Sequence, residues 1–169
     1  MGLLLQYLLH PFQTVRTHVA QLRLWHSLAA LGVFSMSMAS GVGIMRPGLL
    51  VLLVVIWGAI NIVNAVIIDF FAQCFGSKGN SVALFKGLTL SLALWILFKP
   101  VQLLKMYIPD DIFWLMYLGF LSFVFSVQIE TLKQIYNIKT AKAWALWIVP
   151  GLLIAVTVVA SFMGLFYLV

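Results

Sequence analysis

Five long apolar stretches, at about residues 24–45, 48–70, 82–104, 112–130 and 143–168, take up most of this 169-residue chain. A helix needs about 20 consecutive apolar residues to cross the hydrocarbon core of a bilayer, and each stretch is near or above that length. Lipid offers no partner for a free backbone N–H or C=O, so a chain of this kind crosses as helices, whose hydrogen bonds are internal. The composition agrees: 64% of the residues are hydrophobic and 8% are charged, against about 45–50% and 25% for a water-soluble domain. The expected fold is all-α. It is a polytopic integral membrane protein with five transmembrane helices, residues 27–169, behind a short amino-terminal interfacial segment, residues 1–26.

That segment is amphipathic. Phe12, Val15, Val19 and Leu22 recur along one helical face, while Gln13, Arg16, Thr17 and Arg23 occupy the rest. Pro11 suits a helix start. Such a helix either lies in the membrane interface with its arginines among lipid phosphates, or packs on the cytoplasmic ends of the spans. Met1-Gly2-Leu3-Leu4-Leu5 lacks the positive region of a signal peptide, and Gln6 stands where a myristoylation motif carries Ser or Thr. The start therefore reads as that of a mature protein.

Within the spans, small residues repeat every four positions, Ser35, Ala39 and Gly43 beside Ser37 and Gly41. Lipid supplies no hydrophobic drive for helix association, so small side chains that let backbones approach mark a packing face. Intramolecular packing is favoured there over a homodimer. Deep polar groups are read only in the second span, at Asn61 and Asn64, followed by Asp69 and Gln73 near its end. An unpaired buried amide costs several kcal/mol. The asparagines are therefore expected to bond a neighbouring helix or to line a polar pathway, with the interhelical role favoured. Lys86 is placed to snorkel, the third span is expected to end near Lys99-Pro100, and Pro150-Gly151 to kink the last.

Charge gives an orientation. The side shared by the amino terminus and the loops after spans two and four holds seven cations, Arg16, Arg23, Lys78, Lys86, Lys133, Lys139 and Lys142. The other holds three, Arg46, Lys99 and Lys105. The excess of Lys and Arg places the amino terminus in the cytoplasm and the carboxyl terminus outside. Arg16, Arg23, Lys78, Glu130, Lys139 and Lys142 are candidates for lipid-headgroup or protein interaction at that face. A weak repeat joins its two turns. Asp69 precedes Lys78 by nine residues as Glu130 precedes Lys139, and at the same offset of 61 Gln73 falls on Gln134. Two parallel helical hairpins, as in some transporters, would produce it.

Catalytic patterns are not found. His10, His18 and His26 are eight apart, which turns each by about 80° around a helix, so they do not converge. They read as solvated interfacial residues. Cys74 is the lone cysteine, and Gly76-Ser77-Lys78-Gly79 lacks the phosphate-loop pattern. The chain is read as non-enzymatic, with no catalytic, metal or cofactor-binding residue and no nucleic-acid partner. Its partner is the lipid bilayer, with a second copy or other membrane proteins as candidates.

Three segments in order resemble the Yip1-domain family. They are Leu9-His10-Pro11-Phe12-Gln13-Thr14-Val15, the turn Gly76-Ser77-Lys78-Gly79-Asn80-Ser81 before an apolar helix reaching Pro100, and Ile138-Lys139-Thr140-Ala141-Lys142-Ala143 before the last span. The resemblance is to short prokaryotic-type members, and it implies five spans, a bacterial inner-membrane location and a role in membrane organisation or protein interaction. Eukaryotic members act in vesicle traffic and bind prenylated GTPases through a longer soluble amino-terminal region than the roughly 25 residues here. The competing expectations are a small transporter or lipid-handling protein working through the polar second span, and an accessory subunit of a larger membrane complex.

Overall fold

A computed structural model describes residues 3–19, 22–41 and 47–152. Among them there are helices and no strands. Two short helices, α1 (Leu3–Leu9) and α2 (Pro11–His18), meet at His10, whose φ of −136° and ψ of 65° break the helical path. Then come α3 (Leu24–Gly41) and α4 (Pro47–Cys74), followed by α5 (Ser81–Leu92). The chain continues from α5 through a 3₁₀ stretch, Ala93–Phe98, into α6 (Lys99–Leu103). After Pro109 comes α7 (Asp110–Tyr136), and residues 140–152 form α8.

Three of these helical runs are long and apolar enough to cross a membrane: Pro47–Cys74, Ser81–Met106 and Asp110–Tyr136. They match the expected second, third and fourth spans. Helix α3 covers the first expected span but has only 18 residues, and His26, Ser27, Ser35, Ser37 and Ser40 dilute its apolar content. It can afford them because α3 packs against both α4 and α5, and Ser35 and Ala39 are buried there. That is the intramolecular use of the small-residue face; Gly43 lies outside the described residues. The third run does not stop at Lys99-Pro100: Pro100 sits in the first turn of α6, where its missing N–H costs nothing. Pro150 and Gly151 are still helical, and the rest of the fifth stretch lies outside the described residues.

Of the two placements for the amino-terminal helix, the structure has the packed one, and the helix is shorter than the apolar stripe implied. It ends at His18, and the chain turns before α3. Phe12 meets Phe123 of α7 edge to face at 5.9 Å. Val15 and Leu22 join Leu90, Leu94, Val124 and Val127 in one cluster, with Phe12 and Val19 against it. Tyr7 of α1 is fully buried in the same cluster. Arg16 Nε donates to Glu130 Oε1 at 2.9 Å, so this arginine engages α7 while its side chain stays largely exposed.

The two turns at one end of the bundle are built alike. Helix α4 ends on Gly76 at φ 79°, and Ser77 N–H donates to Ala72 C=O at 2.9 Å. Helix α7 ends on Asn137 at φ 50°, and Ile138 N–H donates to Lys133 C=O at 3.4 Å. Both are Schellman-type caps with a left-handed residue, which favours Gly and tolerates Asn. Gln73 Nε2 donates to Asp69 at 2.9 Å, and Gln134 Nε2 donates to Glu130 at 3.0 Å. Every one of these pairs is related by 61 positions. The weak repeat in the sequence is thus a repeat of conformation at the ends of α4 and α7, while the connections that follow differ in length, 75–80 against 137–139.

Candidate functional site

The polar groups fall into two places. The first is a cavity of about 490 Å³ in the middle of the bundle, where α3, α4, the end of α5 and α7 face one another. Asn61 and Asn64 sit near the midpoint of α4, three residues apart and so on one face. Both line the cavity, together with Trp57, Trp95, Tyr117 and Gln128. The amide of Asn61, only 7% exposed, donates to Trp57 C=O of its own helix at 2.8 Å. No described residue bonds the amide of Asn64. Among the described residues the asparagines thus make no bond from α4 to another helix, and both line the cavity.

The polarity of the interior is also not confined to α4. Gln128 of α7 donates to Ser91 Oγ of α5 at 2.9 Å and accepts from Trp147 Nε1 of α8 at 3.1 Å. Ser91 in turn donates to Leu88 C=O at 2.6 Å. This chain ties α5, α7 and α8 together at the cavity wall and fixes the amide of Gln128. Ser91 and Thr89 are fully buried. The sequence contained a signal for Gln128, a lone amide inside an apolar stretch, but it was outweighed by the two asparagines. Phe34 meets Trp57 at 5.1 Å, Trp95 meets Phe34 and Tyr117 at 6.5 and 6.0 Å, and Phe125 meets Trp147 at 4.5 Å. The wall is thus mostly apolar and rich in aromatic rings, with four amides, Asn61, Asn64, Gln102 and Gln128, set into it. That is the usual pattern of a small-ligand site, apolar with a few placed polar groups and within the usual 300–1,000 Å³ or so.

The second place is the end of the bundle that carries the two turns. Asp69, 5% exposed, accepts from Tyr136 Oη of α7, from Asn80 N–H at 2.7 Å and from Gln73 Nε2 at 2.9 Å. It pairs with none of Lys78, Lys86 or Lys142. Three neutral donors replace a cation, and two of them lie outside α4, so the carboxylate ties the 75–80 turn and α7 to α4. Gly79 is held close by the same group, since a Cβ there would lie 2.5 Å from Gln73 Nε2. Glu130 takes Arg16 and Lys133, each at 2.9 Å. Lys142 Nζ donates to Phe75 C=O at 2.7 Å, joining the two turns.

Lys78 and Lys139 are exposed on these turns, and Arg23 is exposed between α2 and α3. The Arg23 N–H donates to Nδ1 of His26 at 3.2 Å. His26 is buried and lies 3.8 Å from the Trp25 ring, which corrects the reading of it as solvated. The structure therefore brings Asn61 and Asn64 together with Gln128. It separates them from Asp69, Gln73 and Glu130, whose partners hold helices and turns in place. No model of a known protein family, no curated protein and no solved structure matches this chain.

Proposed function

We propose that this chain is a non-enzymatic, five-span integral membrane protein that holds a lipid or similar amphipathic molecule in its central cavity. One observation carries the reading: an aromatic-walled cavity at mid-bundle into which Asn64 projects an amide that no described residue bonds. The half-buried amide of Asn64 is open to a further hydrogen bond from the cavity side, and a ligand with an ester, hydroxyl or amide beside its acyl chain supplies one. The segments at 24–45 and 143–168 supply the first and fifth spans. The excess of Lys and Arg at the end carrying Lys78 and Lys139 supports a cytoplasmic position for that end, and the resemblance to short prokaryotic-type members supports a bacterial inner membrane.

A role in membrane organisation or protein interaction, as the Yip1 resemblance implies, is the second reading. It is supported by the exposed Lys78 and Lys139 on the two turns and by Lys142 of α8, whose ammonium donates to Phe75 C=O in the first of them. Lipid extraction from protein purified in mild detergent decides between them. Stoichiometric lipid that is lost on Leu121→Trp, which fills the cavity, supports the first reading. Lipid content unchanged by that variant, with a stoichiometric protein partner, supports the second.

A further inference from the structure

A second, larger hollow of about 820 Å³ opens at the opposite end of the bundle, between the last turns of α3, α6 and the first turn of α7. Its floor is apolar, with Val33 and Phe113, its rim carries Lys99 and Lys105, and Met36, Ile96 and Leu103 are exposed beside them. Two of the three cations assigned to that side of the membrane are thereby gathered at one hollow. Neither is in an ion pair with a described residue. Lys99 is half-buried, and Lys105 lies 5.1 Å from the centre of the Phe113 ring. Asp110 and Asp111, in the adjacent first turn of α7, form no ion pair with either lysine. Gln102 lines this hollow and the central cavity alike, so the two adjoin.

We infer that the hollow seats the headgroup of an anionic phospholipid. Its phosphate lies between Lys99 and Lys105, and one acyl chain passes Gln102 into the cavity walled by Trp57 and Trp95. Charge complementarity selects this occupant. Two unpaired cations over an apolar floor match a molecule with a compact anionic head and an apolar tail. A protein segment would have to bring its own acidic residues and still fill the adjoining cavity. A phosphate without a tail would leave the apolar floor and the cavity empty. The inference rests on the lipid-holding reading proposed above and adds to it the class of lipid and the end from which it is held.

The test is native mass spectrometry of the full-length protein. It is released from bilayers of equal phosphatidylglycerol and phosphatidylcholine, and the wild type is compared with Lys99→Gln, Lys105→Gln and the double variant. The expected result is retained phosphatidylglycerol in the wild type, falling about fivefold for each lysine removed and about 25-fold for both. Retained phosphatidylcholine should stay unchanged. Lys86→Gln, near the other end, should retain phosphatidylglycerol as the wild type does. Both lysines are on the rim, and each variant is compared at equal melting temperature in detergent, so lost folding is not read as lost binding. Lipid retained with no headgroup preference, or a preference untouched by the double variant, overturns the inference and leaves the cavity reading standing. No retained lipid of either kind overturns both.

Discussion

Gly87→Ala tests the close packing of α5 against α7. Gly87 is buried on α5 against α7, and a Cβ placed there would lie 2.4 Å from Thr131 Cγ2. Carbon atoms pack best at about 3.5–4.0 Å, so the overlap is roughly 1 Å. Thr131 cannot swing away freely. It is fully buried, and its hydroxyl donates to Val127 C=O at 2.9 Å. The helices must separate instead, at a cost near the upper end of the 1–3 kcal/mol or so typical of an overfilled core. Alanine recovers about 1 kcal/mol of helix propensity relative to glycine, which leaves a net loss of about 2 kcal/mol. Thr131→Ser keeps the hydroxyl and removes the methyl that clashes, at about 1 kcal/mol for the lost contact. In the double variant the alanine methyl occupies the space the threonine methyl left, so it should be close to the wild type. Reversible unfolding in mixed micelles, followed by tryptophan fluorescence, gives all four stabilities and hence the coupling energy. The reasoning fails if Gly87→Ala is as stable as the wild type, or if the two changes simply add.

Three further outcomes are expected. Gly76→Ala should cost about 1–2 kcal/mol, because the left-handed conformation at φ 79° burdens a residue with a Cβ. Gly76→Asn should cost less, as Asn137 fills the equivalent position; equal losses in thermal denaturation would argue against the repeat. Arg16→Ala should release α2 from Glu130 and raise amide hydrogen exchange over residues 11–18 while the α7 amides stay protected; unchanged exchange would refute the latch. In a Cys74→Ser background, cysteines at Lys78 and Lys139 should label from one side of intact cells and a cysteine at Asp110 from the other; all three labelling together would contradict the hairpins.

The sequence made the helices legible because lipid leaves a chain few alternatives. An apolar stretch of the right length must be a helix, and Pro47–Cys74 and Asp110–Tyr136 follow from that alone. The repeat was legible as three matched positions, but its meaning lay in φ angles and caps that Gly76 and Asn137 share without sharing identity. The placement of α2 was only half legible. Its apolar stripe is equally suited to lipid and to α7, and what decides is Arg16 meeting Glu130, more than a hundred positions away. Asn61 and Asn64 were visible as a pair of polar groups on one face of α4. Spacing shows that they share a face, and only the arrangement of α3, α5 and α7 shows that the face looks into a cavity. Gln128 and Ser91 were missed for the same reason, since their bond joins two helices that contact each other far apart in sequence.

The central claim is that an acyl chain occupies the cavity beside Asn64. Photocrosslinking with a phospholipid that carries a diazirine near the end of one acyl chain tests it most directly, with adducts located by peptide mass spectrometry. Tyr117, Leu121 and Trp95 line the cavity, whereas Val55 and Val63 are exposed on the outer face of α4. The account predicts adducts concentrated on the cavity residues and abolished by Leu121→Trp. Adducts confined to Val55, Val63 and similar outward residues, indifferent to that substitution, would contradict it.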